Sequence, residues 1–332
     1  MPWKILQRRG LWLPEIDWWM DAQTRQVRAF VSHAHGDHVA RHGEVICTPA
    51  TARFLRFRVP GIRREHVLNF GRTREIAPGV SATLHPAGHI LGSSMIRIEG
   101  TRGSLLYTGD FRLRGGLAAE TCECPAAETL VMETTFGLPR YRFPPAAEVI
   151  RDLIAFCQET LAERKTPVLL CYSLGKSQEV LQALAPSGLP VMLPEPTHHL
   201  TELYRELGQQ LPPAEPFEPL RQSGHVVICP PNARGTLQSV LAPRTAIISG
   251  WAIDPGARYR YRCDVGFPLS DHSDFDELLE FVRRVKPRRI LTVHGFAREF
   301  ASTLRSEGWD ALALGRDNQL ELPLAPTEDR DP

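Results

Sequence analysis

The sequence predicts an α/β fold in which one α/β unit is inserted into another. Two patterns along the chain indicate this. Short strands separated by glycine and proline turns fill residues 44–107, whereas helices alternate with strands from Tyr141 onward. A third observation is that metal-ligand residues follow strands in both the N-terminal and the C-terminal segments, so these two segments are expected to form one domain. The length of 332 residues agrees with about two domains, at roughly 150 residues each.

The first segment is predicted to be built from strands. Four tryptophans lie among charged residues at 1–26, and a short buried strand at 27–31 follows them. A short helix is expected at 50–58, directly after Pro49. The remaining strands are predicted at 45–47, 67–68, 80–84, 95–98, 105–107 and 130–133.

The second segment alternates between the two kinds of element. Helices are predicted at 147–164, 177–184, 197–211, 234–241, 275–285 and 297–307. Strands are predicted at 167–171, 191–193, 225–229, 245–249 and 289–293. We therefore expect a first part of the main domain at 1–140, an inserted domain at 141–244, a last part at 245–322 and a frayed tail at 323–332.

The stretch 31–38, VSHAHGDH, carries the strongest chemical pattern in the chain. Three histidines and one aspartate, His33, His35, Asp37 and His38, fall within six residues after a predicted strand. Imidazole and carboxylate ligands together favour zinc, with manganese as an alternative. Four ligand residues exceed the three that one catalytic zinc uses, so the sequence predicts two metal ions and further ligands elsewhere.

Three later strand ends supply the missing ligands. We expect His33, His35 and His89 to bind one ion, and Asp37, His38 and His294 to bind the other, while Asp110 bridges both. His85 is an alternative to His89, although Pro86 favours a turn there. Asp21, more than Asp17, is expected to hydrogen-bond a ligand histidine. Two divalent ions about 3.5–4 Å apart are a usual arrangement for phosphodiester hydrolysis.

Two segments are candidates for phosphate binding. Ser173 and Lys176 lie in a Gly-Lys turn that opens a predicted helix, although the spacing is not that of a P-loop. Arg258, Arg260 and Arg262 would share one face of an extended segment. A solvated edge strand explains these arginines equally well.

Composition limits the class of protein. The net charge is +1, so no overall basic field indicates nucleic acid, and only four of the 39 basic residues are lysine. Seven scattered cysteines without a CxxC pair indicate neither a zinc ribbon nor a disulfide framework. The sequence shows no signal-peptide pattern and no run of 18 apolar residues. We therefore expect a cytoplasmic protein that does not enter a membrane.

The combined motifs resemble those of the metallo-β-lactamase superfamily and, more narrowly, its β-CASP nucleases. The HxHxDH loop at 33–38 and the later ligands match the superfamily; Glu133 in ETTFG, His272 in LSDHSD and His294 in TVHGF match the β-CASP positions. The resemblance implies an αββα sandwich with an inserted β-CASP domain. It also implies that His272 stabilises the phosphate or protonates the leaving oxygen, held in orientation by Glu133, and that Asp37 belongs to the catalytic centre.

The resemblance leaves the substrate open. Stretches such as AFVSHAHGDH and HPAGHILGSSMIRIE look like the bacterial ligase-associated DNA exonucleases, which implies single-stranded DNA as substrate, a role in DNA repair and DNA ligase or helicase partners. A histidine at 294 is instead typical of RNA-processing branches, of the mRNA 3′-end-processing or ribonuclease J type. A thioesterase-like hydrolase is the remote alternative. The resemblance leaves polarity of digestion open.

Overall fold

The structure is a computed structural model that describes residues 3–315, and the predicted tail at 323–332 lies outside this range. Strands β1 to β19 and helices α1 to α8 are numbered in chain order. The helices are α1 (Pro49–Arg58), α2 (Ala146–Ala162), α3 (Lys176–Leu184), α4 (Glu195–Glu206), α5 (Arg234–Ser239), α6 (Ala257–Tyr261), α7 (Phe275–Val285) and α8 (Ala297–Ser306).

The first sheet contains the N-terminal strands in sequence order. It consists of β1 (Leu6–Arg8), β2 (Gly10–Leu13), β3 (Trp18–Met20), β4 (Arg28–Phe30), β5 (Glu44–Cys47) and β6 (Arg64–Val67). The strands β1–β3, which the sequence did not predict, pair antiparallel through two tight turns. Each has only three or four residues, too few for a periodic pattern to stand out.

The second sheet combines strands from both ends of the chain. In spatial order it runs β19 (Ala311–Ala313), β18 (Arg289–Val293), β11 (Thr129–Glu133), β10 (Gly103–Tyr107), β9 (Ser94–Gly100), β8 (Val80–Pro86) and β7 (Thr73–Ala77). Strand β11 pairs in parallel with β18, although more than 150 residues separate them. The chain therefore leaves this sheet after β11 and returns to its edge, as an insertion requires.

The two sheets pack face to face. Residues Phe30 and Ile46 of the first sheet share one buried cluster with Leu105 and Tyr107 of the second. The alternate residue Leu106 faces the other side of the sheet, where it packs against α7 and α8. Helix α1 covers the outer face of the first sheet, which completes an αββα sandwich.

The inserted domain is built on a six-stranded parallel sheet. In spatial order it runs β14 (Glu215–Pro216), β13 (Val191–Leu193), β15 (Val226–Cys229), β12 (Thr166–Leu170), β16 (Pro243–Ile248) and β17 (Val265–Phe267). Helices α2 and α3 pack on it through residues such as Leu153 and Leu181. Leu203 and Tyr204 of α4 pack instead against α1, so that one buried cluster joins the two domains.

The predicted end of the insertion at residue 244 is wrong. Strand β16 pairs with β12, and β17 pairs with β16, so both belong to the inserted sheet. The insertion thus extends to Phe267, and the sandwich resumes with α7. The sequence pattern could not show this, because a strand of either parallel sheet is a short apolar run.

The extended segment predicted around Arg258 is also wrong. Residues Ala257–Tyr261 form helix α6, and Arg262 ends it in the left-handed region at φ 50°. On a helix, Arg258 and Arg260 point in different directions, so the three arginines do not form one face. Arg260 lies 3.4 Å from Asp254, and the guanidinium of Arg258 lies over the ring of Tyr259.

Candidate metal centre

The predicted ligands all follow the carboxyl ends of strands. His89 follows β8, Asp110 follows β10 and His294 follows β18, and these three strands run in the same direction. The loop at 31–38 follows β4 in the facing sheet. The fold therefore brings all of these loops to one edge of the sandwich.

Two glycines allow the chain to turn sharply beside the ligands. Gly88 has φ 76° and precedes His89, while Gly109 has φ 55° and precedes Asp110. A Cβ on Gly109 would lie 2.5 Å from the Cβ of Ser32, and one on Gly88 would lie 2.4 Å from a backbone oxygen. Both positions require glycine for backbone conformation and for space.

Three histidines converge as the sequence predicted for the first ion. The Nε2 of His33 lies 3.0 Å from the Nδ1 of His35, which lies 3.2 Å from the Nε2 of His89. All three rings belong to one group of potential metal ligands. Because His33 and His89 are buried, this cluster of nitrogens is largely shielded from water.

The other ring nitrogens of four histidines favour one tautomer of the neutral ring. Each of these nitrogens faces an oxygen that can accept its proton, so in the neutral ring the converging nitrogen is the one that can bind a cation. The pairs are His33 Nδ1 with Ser32 Oγ (2.9 Å), His35 Nε2 with the Leu174 carbonyl (3.0 Å), His89 Nδ1 with the Asp271 carbonyl (2.9 Å) and His38 Nδ1 with Asp21 Oδ2 (2.9 Å). The donor set therefore fits divalent metal ions such as zinc.

Asp110 stands between the two predicted ligand sets. Its Oδ2 lies 3.2 Å from His38 Nε2, 3.7 Å from His33 Nε2 and 3.9 Å from His89 Nε2. A single buried oxygen is thus within 4 Å of nitrogens from both sets, which is the position that a bridging ligand needs.

Asp21 accepts hydrogen bonds from the loop at 31–38 and thereby stabilises it. Its Oδ2 accepts hydrogen bonds from Ser32 Oγ (2.7 Å), Tyr107 OH (2.8 Å) and His38 Nδ1 (2.9 Å), and its Oδ1 accepts one from the Ser32 backbone N–H (2.8 Å). The structure therefore places Asp21 where the sequence predicted it. It adds Ser32 and Tyr107, which no motif had indicated.

Burial and neighbouring charge set the protonation of the cluster. Burial, followed by the adjacent histidines, holds the pKa of His33 well below its usual range; burial and His89 lower that of His35 to about 4. Burial lowers the pKa of His38, but Asp110 and Asp21 outweigh it and raise the pKa. Burial raises the pKa of Asp110, but the charge of His38 outweighs it and lowers the pKa well below its ordinary value.

The two remaining predicted ligands lie on the open side of the cluster. Asp37 Oδ2 is 3.7 Å from His38 Nε2, and its side chain is 73% exposed. The ring of His294 is centred 6.1 Å from that of His38, and the residue has φ 59°, a conformation that is uncommon for residues other than glycine. Both residues line the same cavity as the buried ligands.

His272 and Glu133 form a hydrogen-bonded pair beside the ligands. The Nδ1 of His272 donates to Glu133 Oε1 at 2.9 Å, and the ring of His272 is centred 4.6 Å from that of His89. Burial lowers the pKa of His272, but the charge and hydrogen bond of Glu133 outweigh it and raise the pKa to about 9. Asp274 caps α7 directly after this loop and thereby fixes its end.

The structure places Lys176 where it cannot serve as predicted. Lys176 is buried, and its Nζ lies 2.6 Å from Glu179 and 3.5 Å from Asp271. The Gly-Lys turn thus contributes a buried ion pair rather than an exposed phosphate contact. Ser173, in contrast, lines the cavity above the ligands.

A cavity of about 520 Å³ opens above the ligands between the two domains. Its lining includes Arg58, Tyr172 and Trp251, which belong to no predicted site. Arg58 ends α1, and the other two come from the inserted domain. No motif marks them, because only the packing of the two domains brings them together.

An αββα sandwich with clustered His and Asp ligands at one edge defines a metallo-hydrolase fold. Residues 259–314 match a family described as "Zn-dependent metallo-hydrolase RNA specificity domain". The chain is 54% identical over 327 residues to the "Probable DNA ligase" of Opitutus terrae, covering 98% of this chain and 32% of that protein. It is 29% identical over 289 residues to the "5′ exonuclease Apollo" of Gallus gallus, covering 84% and 61% respectively.

A solved structure shows the same fold. A crystal structure of a protein of unknown function from Enterococcus faecalis V583 superposes with a TM-score of 0.57 at 16% identity, covering 82% of this chain and 76% of that one. The chain spans about a third of the Opitutus protein and about three fifths of the Gallus protein. The sandwich fold, the match at residues 259–314 and the similarity to these relatives together support a metallo-hydrolase of the β-CASP type. Within residues 3–315, no helix is long and apolar enough to cross a membrane.

Proposed function

We propose that this protein is a two-metal nuclease that hydrolyses phosphodiester bonds of nucleic acid, with DNA as its substrate. The observation that carries the proposal is the position of Asp110, whose Oδ2 lies within 4 Å of nitrogens from both histidine sets. The pair of His272 and Glu133 faces the same cavity, so an acid lies beside the ligands.

Each ion would have three ligands of its own and would share Asp110 with the other ion. One ion would be held by His33, His35 and His89, and the other by Asp37, His38 and His294. Two divalent ions in these positions would supply the Lewis acidity that phosphodiester hydrolysis needs. Zinc fits this set of imidazole and carboxylate ligands best, and manganese is the alternative to test.

His272 acts on the leaving group. Its Nδ1 is committed to Glu133, so its Nε2 is the nitrogen that can donate to an oxygen in the cavity. An alkoxide expelled from phosphorus is a strong base, and a proton delivered from this nitrogen stabilises it. Glu133 holds the ring in place and stabilises its protonated form.

The similarity to relatives supports DNA as the substrate. The "Probable DNA ligase" is 54% identical to nearly the whole chain, and the Gallus relative is named a 5′ exonuclease. A role in DNA repair, with a DNA ligase as partner, follows as part of the proposal. RNA is the second candidate, because the matching family is described by RNA specificity and because a histidine occupies position 294.

End-labelled single-stranded DNA and RNA of matched sequence, digested side by side with Zn²⁺ or Mn²⁺, test the proposal. We expect DNA to be shortened from one end, and the labelled end that survives gives the polarity. Asp110→Asn, purified identically, controls for a contaminating nuclease. Preferential cleavage of RNA would transfer the proposal to the second candidate. Hydrolysis of a thioester without any phosphodiester cleavage would refute both.

A further inference from the structure

We propose that Tyr172 is a stacking platform for the nucleobase beside the scissile phosphate, and that it makes the site select an unpaired strand. This inference rests on the proposed nuclease function. Tyr172 lines the cavity above the ligands, yet the residue remains 63% exposed. An aromatic ring that stays open to solvent at the mouth of a site offers a flat apolar face to a ligand.

The ring of Tyr172 adjoins a metal ligand. Its centroid lies 6.2 Å from that of His35, at an interplanar angle of 45°. A phosphate positioned at the ligands therefore places the attached nucleoside next to this ring. Because every nucleobase has a π face, a platform at this place accepts any base and contributes affinity without reading the sequence.

The other aromatic rings of the cavity are already engaged. Trp251 packs against Phe136 at 4.7 Å and against Tyr141 at 5.7 Å, and Phe136 is buried. These rings pack against one another and are held in place by those contacts. Among residues 3–315, the ring of Tyr172 has a ring contact with His35 alone, so one of its faces is available.

The backbone holds Tyr172 on a rigid support. The residue follows β12 in the inserted sheet, and its carbonyl accepts hydrogen bonds from the backbone N–H and the hydroxyl of Ser177 at 3.0 and 2.8 Å. Ser177 lies in the first turn of α3. A side chain mounted between a central strand and a helix start is positioned more firmly than one on a free loop.

The platform requires a base that has left the duplex. A paired base is stacked on both sides, and exposing it costs free energy, whereas a base in a single strand is free to stack. Stacking on an aromatic side chain is worth about 5- to 150-fold in affinity, which corresponds to about 1–3 kcal/mol per base. The inserted domain thereby contributes to the choice of strand as well as to the shape of the cleft.

The test compares Tyr172→Leu, Tyr172→Phe and wild type, each loaded with zinc, on single-stranded oligonucleotides. The oligonucleotides carry either a normal or an abasic nucleotide at the scissile position. We expect Tyr172→Leu to raise KM by about 5- to 150-fold and Tyr172→Phe to remain near wild type. The abasic nucleotide should raise the KM of wild type by the same factor. It should raise the KM of Tyr172→Leu little further, since both changes remove the same stacking contact.

Direct binding gives a second measurement. Fluorescence anisotropy in the slow His272→Ala background should show the same loss of affinity when Tyr172→Leu is added. Tyr259→Leu is the matched control, because Tyr259 is a similarly exposed tyrosine, 71% exposed, that lies on α6 outside the cavity. This control should leave both KM and affinity unchanged.

The two proposals fail in different ways. If wild type cleaves single strands and Tyr172→Leu has the same KM, the stacking role alone is overturned. The same holds if the variant and the abasic nucleotide raise KM additively. The abasic comparison in wild type needs no variant and therefore tests the platform even if Tyr172→Leu does not fold. Binding that depends on Tyr172 without any phosphodiester cleavage would overturn the proposed nuclease function alone.

Discussion

At the scale of single residues, the site depends on hydrogen bonds that orient one ring nitrogen in each of four histidines toward the cluster. His38 illustrates this: Asp21 accepts from its Nδ1, and its Nε2 is thereby directed to Asp110. Such partners orient metal ligands and raise their basicity.

Asp110→Asn is expected to abolish phosphodiester cleavage while the fold stays cooperative. The amide keeps the shape of the carboxylate but loses the charge that would be shared between two cations. Turnover with Zn²⁺, together with metal content by elemental analysis, measures the effect, and the bound metal should fall. A folded Asp110→Asn protein with the turnover and metal content of wild type would contradict the bridging role.

His272→Ala is expected to keep its metal but to lose turnover by about 10²–10⁴-fold, the usual range for a general acid–base residue. Because the ring donates to Glu133, Glu133→Gln should also reduce turnover. Steady-state rates and elemental analysis on the same samples check both points. Loss of one metal ion from His272→Ala would instead make this histidine a ligand.

At the scale of elements, buried charges connect helix α3 to the loop that carries Asp271 and His272. Lys176 and Glu179 of α3 contact Asp271 and Arg112 respectively, and all four residues are buried. The carbonyl of Asp271 accepts the hydrogen bond from His89. The inserted domain therefore holds a backbone group that orients a metal ligand.

Lys176→Met is expected to destabilise the protein by about 3–5 kcal/mol, because it leaves two buried carboxylates with one cation fewer. Burial opposes the charged form of Asp271, but Lys176 outweighs it and holds the pKa of that carboxyl well below its usual range, consistent with this dependence. Urea denaturation measures the change. Lys165→Met is the control, because Lys165 pairs with Glu163 at the surface and its loss should leave the midpoint unchanged. Equal urea midpoints for Lys176→Met and Lys165→Met would refute the stabilising role of Lys176.

At the scale of the whole molecule, a net charge of +1 supplies no general attraction for a polyanion. On the proposed function, the cavity itself would supply a local cation for phosphate, because Arg58 at the end of α1 is the arginine among its lining residues. The inserted domain forms the opposite side with Tyr172. The cleft exists only because the two domains pack together through α1 and α4.

Cleavage of DNA is expected to weaken as salt increases, and Arg58→Met should reduce the slope of log(kcat/KM) against log[salt] by about one. Arg260→Met is the control, because Arg260 lies on α6 beside Asp254 and outside this cavity. The slopes of wild type, Arg58→Met and Arg260→Met are obtained from kcat/KM measured between low and physiological salt. A slope that is the same in Arg58→Met and wild type would place the phosphate contacts elsewhere.

The sequence determined the chemistry and the order of the elements. Ligand residues that follow strands are visible in a sequence, because a strand end and its neighbouring loop residues are local features. The HxHxDH loop, His89 and Asp110 are predicted in this way, and the structure brings Asp110 within 4 Å of His33, His38 and His89. The α/β class with an inserted unit followed from the same local patterns, whereas the αββα sandwich was implied by the family resemblance.

Only the tertiary structure decided which residues are buried, paired or exposed around that chemistry. Lys176 was expected at a phosphate, but it is buried between Glu179, one turn along the same helix, and Asp271, which comes from a distant loop of the chain. Tyr172 carried no motif, yet it stands open beside His35. The physical reason is that burial and electrostatic pairing depend on contacts between distant segments, and local sequence patterns do not encode those contacts.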